Sequence, residues 1–141
     1  MTRQLTVVLS ICVLLLLPAG RASAGEAPEK SAQAVAEQWL ALIDAGQYAA
    51  SWETAAAIFK KAVKTAEWTS SLDAVRKPLG NLLSRKLENA RYTKTMPGAP
   101  DGEYVVLQFQ TSFSNKKSSV ETVTPMRDAD GKWKVSGYFI R

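Results

Sequence analysis

Histidine is absent from the 141-residue sequence, and cysteine occurs once, at Cys12. Without an imidazole the chain has no histidine general base, no Ser–His–Asp triad, no Cys–His pair and no histidine ligand for zinc. A single cysteine also excludes a disulfide within the chain. Carboxylates and tyrosines are therefore left as the candidate acid–base groups of any enzymatic site.

The composition excludes two broad classes of protein. With 46% hydrophobic and 22% charged residues, the chain is too apolar for a disordered protein and too polar for a membrane protein with several spans. A length of 141 residues allows one domain. We therefore expect a small globular domain with a formal net charge of +5.

Residues 1–24 have the pattern of a secretory signal peptide. Arg3 provides a positive charge, residues 5–17 are largely apolar, and the stretch ending at Ala24 is a small-x-small cleavage site. The apolar run is shorter than the roughly 20 residues that cross a bilayer, which disfavours the alternative of an uncleaved anchor. We expect cleavage near Ala24, a periplasmic or secreted product, and no transmembrane span in the mature chain.

Cleavage would also change the composition. Cys12 lies inside the apolar run rather than at its end, so we expect no lipid attachment, and the mature chain would contain no cysteine. Loss of Arg3 and Arg21 would lower the net charge to +3. An exported domain without disulfides has to be stabilised by its hydrophobic core.

The first part of the mature chain is predicted to be helical. We expect a flexible leader over residues 25–30, followed by a single α+β domain over residues 31–141. Apolar residues recur at helical spacing in three segments: up to Gly46, over about residues 48–64, and from Thr65 to a stop at Pro78. The second and third segments could also be one bent helix. Helical spacing favours core positions over a ligand platform for three tryptophans, Trp39, Trp52 and Trp68.

After Gly80 the apolar residues alternate, which is typical of strands. Four strands are predicted, at about residues 84–95, 105–113, 118–127 and 132–140. The second strand has one clear core face, made of Val105, Leu107, Phe109, Thr111 and Phe113. In the third, Val120, Thr122, Thr124 and Met126 share a face, and Pro125 indicates an edge or a bulge. In the last, Trp133, Val135 and Phe139 are predicted on one side.

Helices followed by strands predict an α+β fold, with two or three helices packed on a four-stranded antiparallel meander. The segment from Ile43 through Trp52, followed by a meander, is similar to the cone-shaped nuclear-transport-factor-like and cystatin-like folds. Likeness of fold does not assign a function.

Several short motifs also resemble one protein family. They are Trp68, Arg76–Gly80, Ser84-Arg85, Pro97–Tyr104, Gln108-Phe109, Ser112-Phe113, Glu121-Thr122, Asp130–Trp133 and Gly137–Ile140. On these motifs the chain resembles the bacterial domain-of-unknown-function family numbered 4019, over nearly the whole mature chain. The resemblance implies an exported protein and supplies no catalytic residue.

Two features resemble binding sites and have simpler explanations. Asp128-x-Asp130-Gly131 resembles the start of a calcium loop, but position 139, where a bidentate Glu is required, is Phe. We therefore predict a hairpin turn.

Residues 60–94 carry nine basic and three acidic side chains, which could meet an anionic lipid, lipopolysaccharide or an acidic protein. A solvated helix face that complements the acidic first helix explains them as well.

Five residues are candidates for contacting a ligand or partner: Arg76, Arg85, Tyr104, Glu121 and Tyr138. The guanidinium of Arg76 or Arg85 could clamp a carboxylate or phosphate. Either arginine could instead pin the corner between helices and strands, against Glu121 or a backbone carbonyl. The sequence offers no motif for catalysis, a cofactor or a metal, and no basic run with the interleaved aromatics of a nucleic-acid groove.

Three functions remain open at this point. The leading hypothesis is a non-enzymatic accessory domain that binds an envelope protein or a small anionic ligand. A second is a small isomerase or dehydratase, with a carboxylate and a phenol in a pocket over the sheet. Its candidate groups are Asp44, Glu53 and Glu121 with Tyr48, Tyr104 or Tyr138. The hypothesis fails if that space is filled by aromatic side chains, namely Trp39, Trp52, Phe109 and Trp133. The third is a module for stability or oligomer formation.

Overall fold

The structure, a computed structural model, describes residues 26–141. The predicted signal peptide over residues 1–24, with Cys12 and the cleavage site at Ala24, lies outside the described residues. The helices are α1 (Pro28–Asp44), α2 (Tyr48–Glu53), α3 (Ala57–Ala62) and α4 (Thr65–Val75), followed by a 3-10 turn at Lys77–Leu79. The strands are β1 (Leu82–Thr93), β2 (Tyr104–Phe113), β3 (Lys116–Arg127) and β4 (Trp133–Ile140). The predicted α+β class is confirmed.

Helix α1 begins at Pro28, whose fixed φ and missing N–H suit the first helical turn. The helix buries one apolar face, made of Ala32, Ala36, Trp39, Leu40 and Ile43. The prediction of a flexible leader over residues 25–30 is therefore wrong for residues 28–30, which form the first turn of α1.

The predicted helix over residues 48–64 is two short helices, α2 and α3. Between them Ala56 has extended backbone angles, and its N–H donates to the carbonyl of Val135 in β4 at 2.8 Å rather than to the preceding turn. This tie to the sheet interrupts a stretch that local sequence favours as one helix. Helix α4 then begins at Thr65, where Glu67 Oε2 accepts the N–H of Lys64 at 3.1 Å.

The four strands form one antiparallel sheet in the order β1-β2-β3-β4. The core face predicted for β2 is confirmed, since Val105, Leu107, Phe109, Thr111 and Phe113 are all buried. On β3, Glu121 and Val123 are fully buried, whereas Val120 and Met126, on the opposite face, are only half-buried. Helix α1 packs across the sheet and contacts all four strands.

Strand β4 carries an irregularity that reverses its faces. The register with β3 shifts between Thr124 and Pro125, so the bulge expected at Pro125 is confirmed. Trp133 and Val135 are buried as predicted, but Phe139 is 51% exposed. The prediction that all three share one side is wrong, because the extra residue in β4 reverses the alternation beyond Ser136. Tyr138 packs against the core in its place.

The helical tryptophans close the core above the sheet. Trp39 Nε1 donates to the carbonyl of Ser51 at 2.8 Å, and Trp68 Nε1 donates to the Ser51 hydroxyl at 2.9 Å. Both side chains are buried, whereas Trp52 is half-buried and donates to the carbonyl of Val63. Within residues 26–141, no helix has the length and apolar character needed to cross a membrane.

Candidate functional site

Two places beside the core contain candidate ligand residues, and four of the five candidates lie in the first. The first place is a group of interacting polar side chains that we call the buried ion-pair cluster. It consists of two arginines, two carboxylates and two hydroxyl side chains: Arg76, Arg85, Asp44, Glu121, Thr111 and Tyr138.

Each member of the cluster comes from a different element. Asp44 is the last residue of α1, Arg76 directly follows α4, and Arg85 lies in β1. Thr111, Glu121 and Tyr138 lie in β2, β3 and β4. The cluster therefore connects two helices to all four strands of the sheet.

Glu121 is at the centre of the cluster, with no exposed surface. Its Oε1 accepts from Arg85 Nε at 2.7 Å and from the Thr111 hydroxyl at 2.6 Å. Its Oε2 accepts from Arg85 Nη2 at 3.2 Å and from the Tyr138 hydroxyl. Four donors thus occupy one carboxylate, which leaves little acceptor capacity for a ligand.

Arg85 joins Glu121 to Asp44. Its Nη1 and Nη2 donate to the two Asp44 oxygens at 2.7 and 3.0 Å, the bidentate geometry in which guanidinium–carboxylate pairs are strongest. Burial opposes the charge on Arg85, but the hydrogen bonds and the negative charges of Asp44 and Glu121 outweigh it and raise the pKa of Arg85 above its ordinary value. Arg85 therefore keeps the positive charge that arginine ordinarily has in proteins.

Arg76 completes the corner between helices and sheet. Its Nη2 donates to Asp44 Oδ1 at 3.2 Å, and its Nη1 donates to the carbonyl of Gly80 at 2.6 Å. The guanidinium also lies 4.4 Å from the centre of the Phe113 ring, a cation–π distance. The sequence allows two roles for Arg76 and Arg85, which are to hold a ligand or to pin the corner between helices and strands. Their contacts in the structure are those of the second role.

Tyr138 is the phenol of the cluster. Burial, then the negative charge of Glu121 and the hydrogen bond to it, raise the pKa of Tyr138 well above its ordinary value. The hydroxyl is therefore a neutral donor to the Glu121 carboxylate. The ring of Tyr138 packs edge-on against Trp39, with 5.2 Å between ring centroids.

Tyr104, the fifth candidate, lies apart from the cluster at the other end of β2. Its hydroxyl donates to the carbonyl of Pro100 at 2.6 Å, and the residue is 2% exposed. Tyr104 therefore pins the connection between β1 and β2. Of the other acid–base candidates, Asp44 belongs to the cluster, Glu53 is exposed and Tyr48 is half-buried.

The enzyme hypothesis requires a pocket over the sheet, and aromatic side chains occupy part of the space where it would lie. Trp39, Phe109 and Trp133 are at least nine-tenths buried, and Trp52 packs half-buried against them. The carboxylate of Glu121 has no exposed surface.

The turn at residues 128–131 is the predicted hairpin. Gly131 has a φ of 78°, and Asp130 Oδ1 accepts the N–H of Lys132 at 3.0 Å. Asp128 reaches further and accepts the N–H of Ala57 at the start of α3. Lys134 pairs with both aspartates, at 3.8 and 3.0 Å. Among the described residues, no three Asp, Glu, His or Cys side chains are grouped as metal ligands.

The second place is an open apolar cleft, which we call the α4–β4 groove. It has a volume of about 200 Å³ and is lined by four residues of α4 and three of β4: Trp68, Ser71, Leu72, Val75, Tyr138, Phe139 and Ile140. None of these side chains is charged. Val75 and Phe139 are 53% and 51% exposed, and in residues 26–141 the only other large apolar side chain this exposed is Leu83.

Sequence reasoning missed the groove, because the alternation of the last strand places Phe139 on the side that faces the core. It also left Asp44 and Thr111 out of the ligand candidates, although both contact them. An Asp at the end of the predicted first helix, just before Gly46, was a usable signal for Asp44, since a carboxylate there opposes the helix dipole and needs a cationic partner.

Comparison with known proteins gives one family. The chain matches the family described as "Protein of unknown function (DUF4019)" over residues 35–138, which includes every member of the ion-pair cluster and all of the groove except Phe139 and Ile140. A search of curated protein sequences found no match. The resemblance carried by the motifs from Trp68 to Ile140 is thereby confirmed: the chain belongs to the DUF4019 family, whose function is unknown.

Proposed function

We propose that this chain is a non-enzymatic accessory domain that is exported and binds a partner through the α4–β4 groove. The observation that carries this proposal is that two of the three large apolar side chains that are more than half exposed, Val75 and Phe139, lie in the same groove. Leaving them in contact with water costs free energy that burial against a partner would recover. A protein or an apolar part of a small ligand would supply that burial.

The polar residues support a binding site in the groove rather than in the ion-pair cluster. Arg85 and Glu121, the best candidates for holding a small anionic ligand, are already paired with each other. A ligand carboxylate or phosphate that entered there would have to displace Glu121 or Asp44 from Arg85. The cluster is therefore proposed to stabilise the fold, and the groove to bind.

An enzyme using Glu121 and Tyr138 is the second candidate. One observation favours it, which is the direct hydrogen bond between a buried carboxylate and a phenol. Proton abstraction requires that the carboxylate reach a substrate. Glu121 has no exposed surface and accepts four hydrogen bonds from within the domain, so a substrate could reach it only after these contacts open. The groove meets the requirements of binding without such a rearrangement.

Export is supported by the pattern of residues 1–24, and it has a direct test. The intact mass of the protein recovered from the periplasm or medium of the native cell should correspond to a chain that begins at Gly25. Recovery of a chain that retains Met1, in the membrane or in the cytoplasm, would contradict export.

The binding role can be tested by site-specific crosslinking in the native cell. A photoreactive amino acid is placed at Phe139 in the full chain, and in a matched control at Leu83, which is as exposed but lies in β1 away from the groove. We expect Phe139 to give a discrete crosslinked product that is absent from the Leu83 control. The same products at both positions, or none at Phe139, would overturn the binding role of the groove.

A further inference from the structure

One edge of the sheet is open beside the groove. Among the four strands of the sheet, β4 pairs with β3 alone. Arg141 and Val120 exchange both backbone hydrogen bonds, at 2.9 and 3.0 Å. Because bonded and non-bonded pairs alternate along antiparallel strands, Phe139 is the next β4 residue bonded to β3. The backbone N–H and C=O groups of Tyr138 and Ile140 therefore point away from the sheet.

The domain covers this edge at one position and leaves it open at the next ones. The carbonyl of Val135, which also points outward, accepts the N–H of Ala56 at 2.8 Å. No hydrogen bond within residues 26–141 reaches the outward backbone groups of Tyr138 or Ile140. These groups lie on the residues that line the groove.

The opposite edge of the sheet is protected in ways that β4 is not. Strand β1 exposes charged side chains at Lys86, Glu88 and Arg91, and its register with β2 shifts between Leu87 and Asn89. Charges and bulges of this kind prevent another strand from pairing with an edge. Residues 137–140 of β4 have no charged side chain and no proline.

We propose that the α4–β4 groove binds an extended segment of an acidic partner protein, which pairs with β4 as a fifth strand. This inference rests on the proposed binding role of the groove and adds the class of its occupant. The outward groups of Tyr138 and Ile140 bond the backbone of the segment, and alternate apolar side chains of the segment fill the groove beside Leu72 and Val75. Strand addition of this type takes affinity from the main chain and specificity from the pocket.

The acidic character of the segment is inferred from the exposed lysines that precede and follow α4 in the sequence and from Arg141 at the end of β4. Residues 60–94 carry nine basic and three acidic side chains, but within this range α4 itself carries only Glu67 and Asp73, neither of which lines the groove. Two of the basic ones, Arg76 and Arg85, are neutralised inside the ion-pair cluster. Lys61, Lys64 and Lys77 remain exposed.

Arg141 adds a positive charge beside the groove itself. Its guanidinium lies 5.8 Å from the centre of the Phe139 ring, and no Asp or Glu side chain of the described residues forms an ion pair with it. Two copies of this chain joined through β4 would bring these positive charges together. A basic edge therefore favours an acidic partner over a second copy.

The proposal can be tested by selecting peptides from a displayed random library on the full chain. A counter-selection uses the double variant Val75→Asp with Phe139→Ser, whose fold is checked by circular dichroism. We expect the enriched peptides to alternate apolar residues and to carry Asp or Glu. Their affinity should fall at least tenfold on replacing the acidic residues by lysine, and it should weaken with added salt.

Backbone pairing is tested separately from filling of the groove. Methylation of alternate backbone nitrogens of an enriched peptide should weaken binding tenfold or more in one of the two alternation phases, since that phase removes the donors that face β4. In the protein, Ile140→Pro should have the same effect, because it deletes an outward N–H and no bond to β3. Ile140→Val retains that N–H and is the matched control.

The outcomes separate the two proposals. Peptides that bind equally well in both methylated forms, or to Ile140→Pro, would overturn strand addition and leave the groove as the binding site. No enrichment over the counter-selection would also overturn strand addition, while crosslinking at Phe139 would still decide the binding role. A dimer in solution that Phe139→Ser dissociates would show that a second copy occupies the edge, and it would overturn the acidic partner.

Discussion

The buried ion-pair cluster and the α4–β4 groove share one residue, Tyr138, and differ in which kind of side chain they expose to water. The cluster takes charged groups out of water and pairs them with one another until Glu121 accepts four hydrogen bonds. The groove leaves apolar groups in water with no partner within the described residues. We therefore propose that the cluster stabilises the fold and that the groove binds a partner.

Changing Glu121 should have the largest effect on stability. Glu121→Gln leaves Arg85 as a buried cation with a weakened partner, so we expect the free energy of unfolding in urea to fall by about 3–5 kcal/mol. The matched control is Glu103→Gln, since Glu103 pairs with Arg127 at 2.9 Å but both side chains are more than one third exposed. The control should cost less than about 1 kcal/mol. Equal losses for the two variants would contradict the structural role of the cluster.

Changing Asp44 should cost less, because water reaches it. Its side chain is 18% exposed, whereas Glu121 has no exposed surface. Asp44→Asn retains an acceptor for Arg76 and Arg85, and solvent can compensate part of the lost charge. We expect a loss of about 1–3 kcal/mol in the same urea titration. A loss larger than that of Glu121→Gln would mean that Asp44, rather than Glu121, is the anchor of the cluster.

Tyr138, which belongs to both the ion-pair cluster and the groove, allows a test based on the pH dependence of stability. The raised pKa of Tyr138 means that the folded domain keeps its phenol protonated, whereas an unfolded chain ionises it near pH 10. Its contribution to stability is therefore complete below about pH 10 and is lost as the pH rises further. Tyr138→Phe should cost about 1 kcal/mol at neutral pH and should lose less stability than the parent on going above pH 10.

The measurement is the free energy of unfolding of both proteins across the alkaline range, with phenolate absorbance followed in parallel. Groups other than Tyr138 titrate in both proteins, so the difference between the two curves isolates this residue. If Tyr138→Phe does not lessen the alkaline loss of stability, the phenol is not protected by the cluster.

The two places also differ in how far the sequence predicts them. The core face of β2 follows from unbroken alternation over residues 105–113, and the contact of Arg85 with Glu121 was among the alternatives considered. Asp44 is 41 residues from Arg85, and only the fold brings them together. In β4, alternation misplaces Phe139 because one extra residue between Val135 and Gly137 reverses the faces. The groove depends on that reversal and on the position of α4, neither of which local periodicity contains.

The smallest effect on stability is expected in the groove, and it completes the comparison. Val75→Ser and Phe139→Ser replace side chains that are already more than half exposed, so each should change the free energy of unfolding by no more than about 0.5 kcal/mol. Leu83→Ser, equally exposed in β1, is the reference for the same substitution away from the groove. Binding should weaken for the first two and not for the third. A groove variant that unfolds the domain as Glu121→Gln does would show that these side chains belong to the core, and the division between a stabilising cluster and a binding groove would then be wrong.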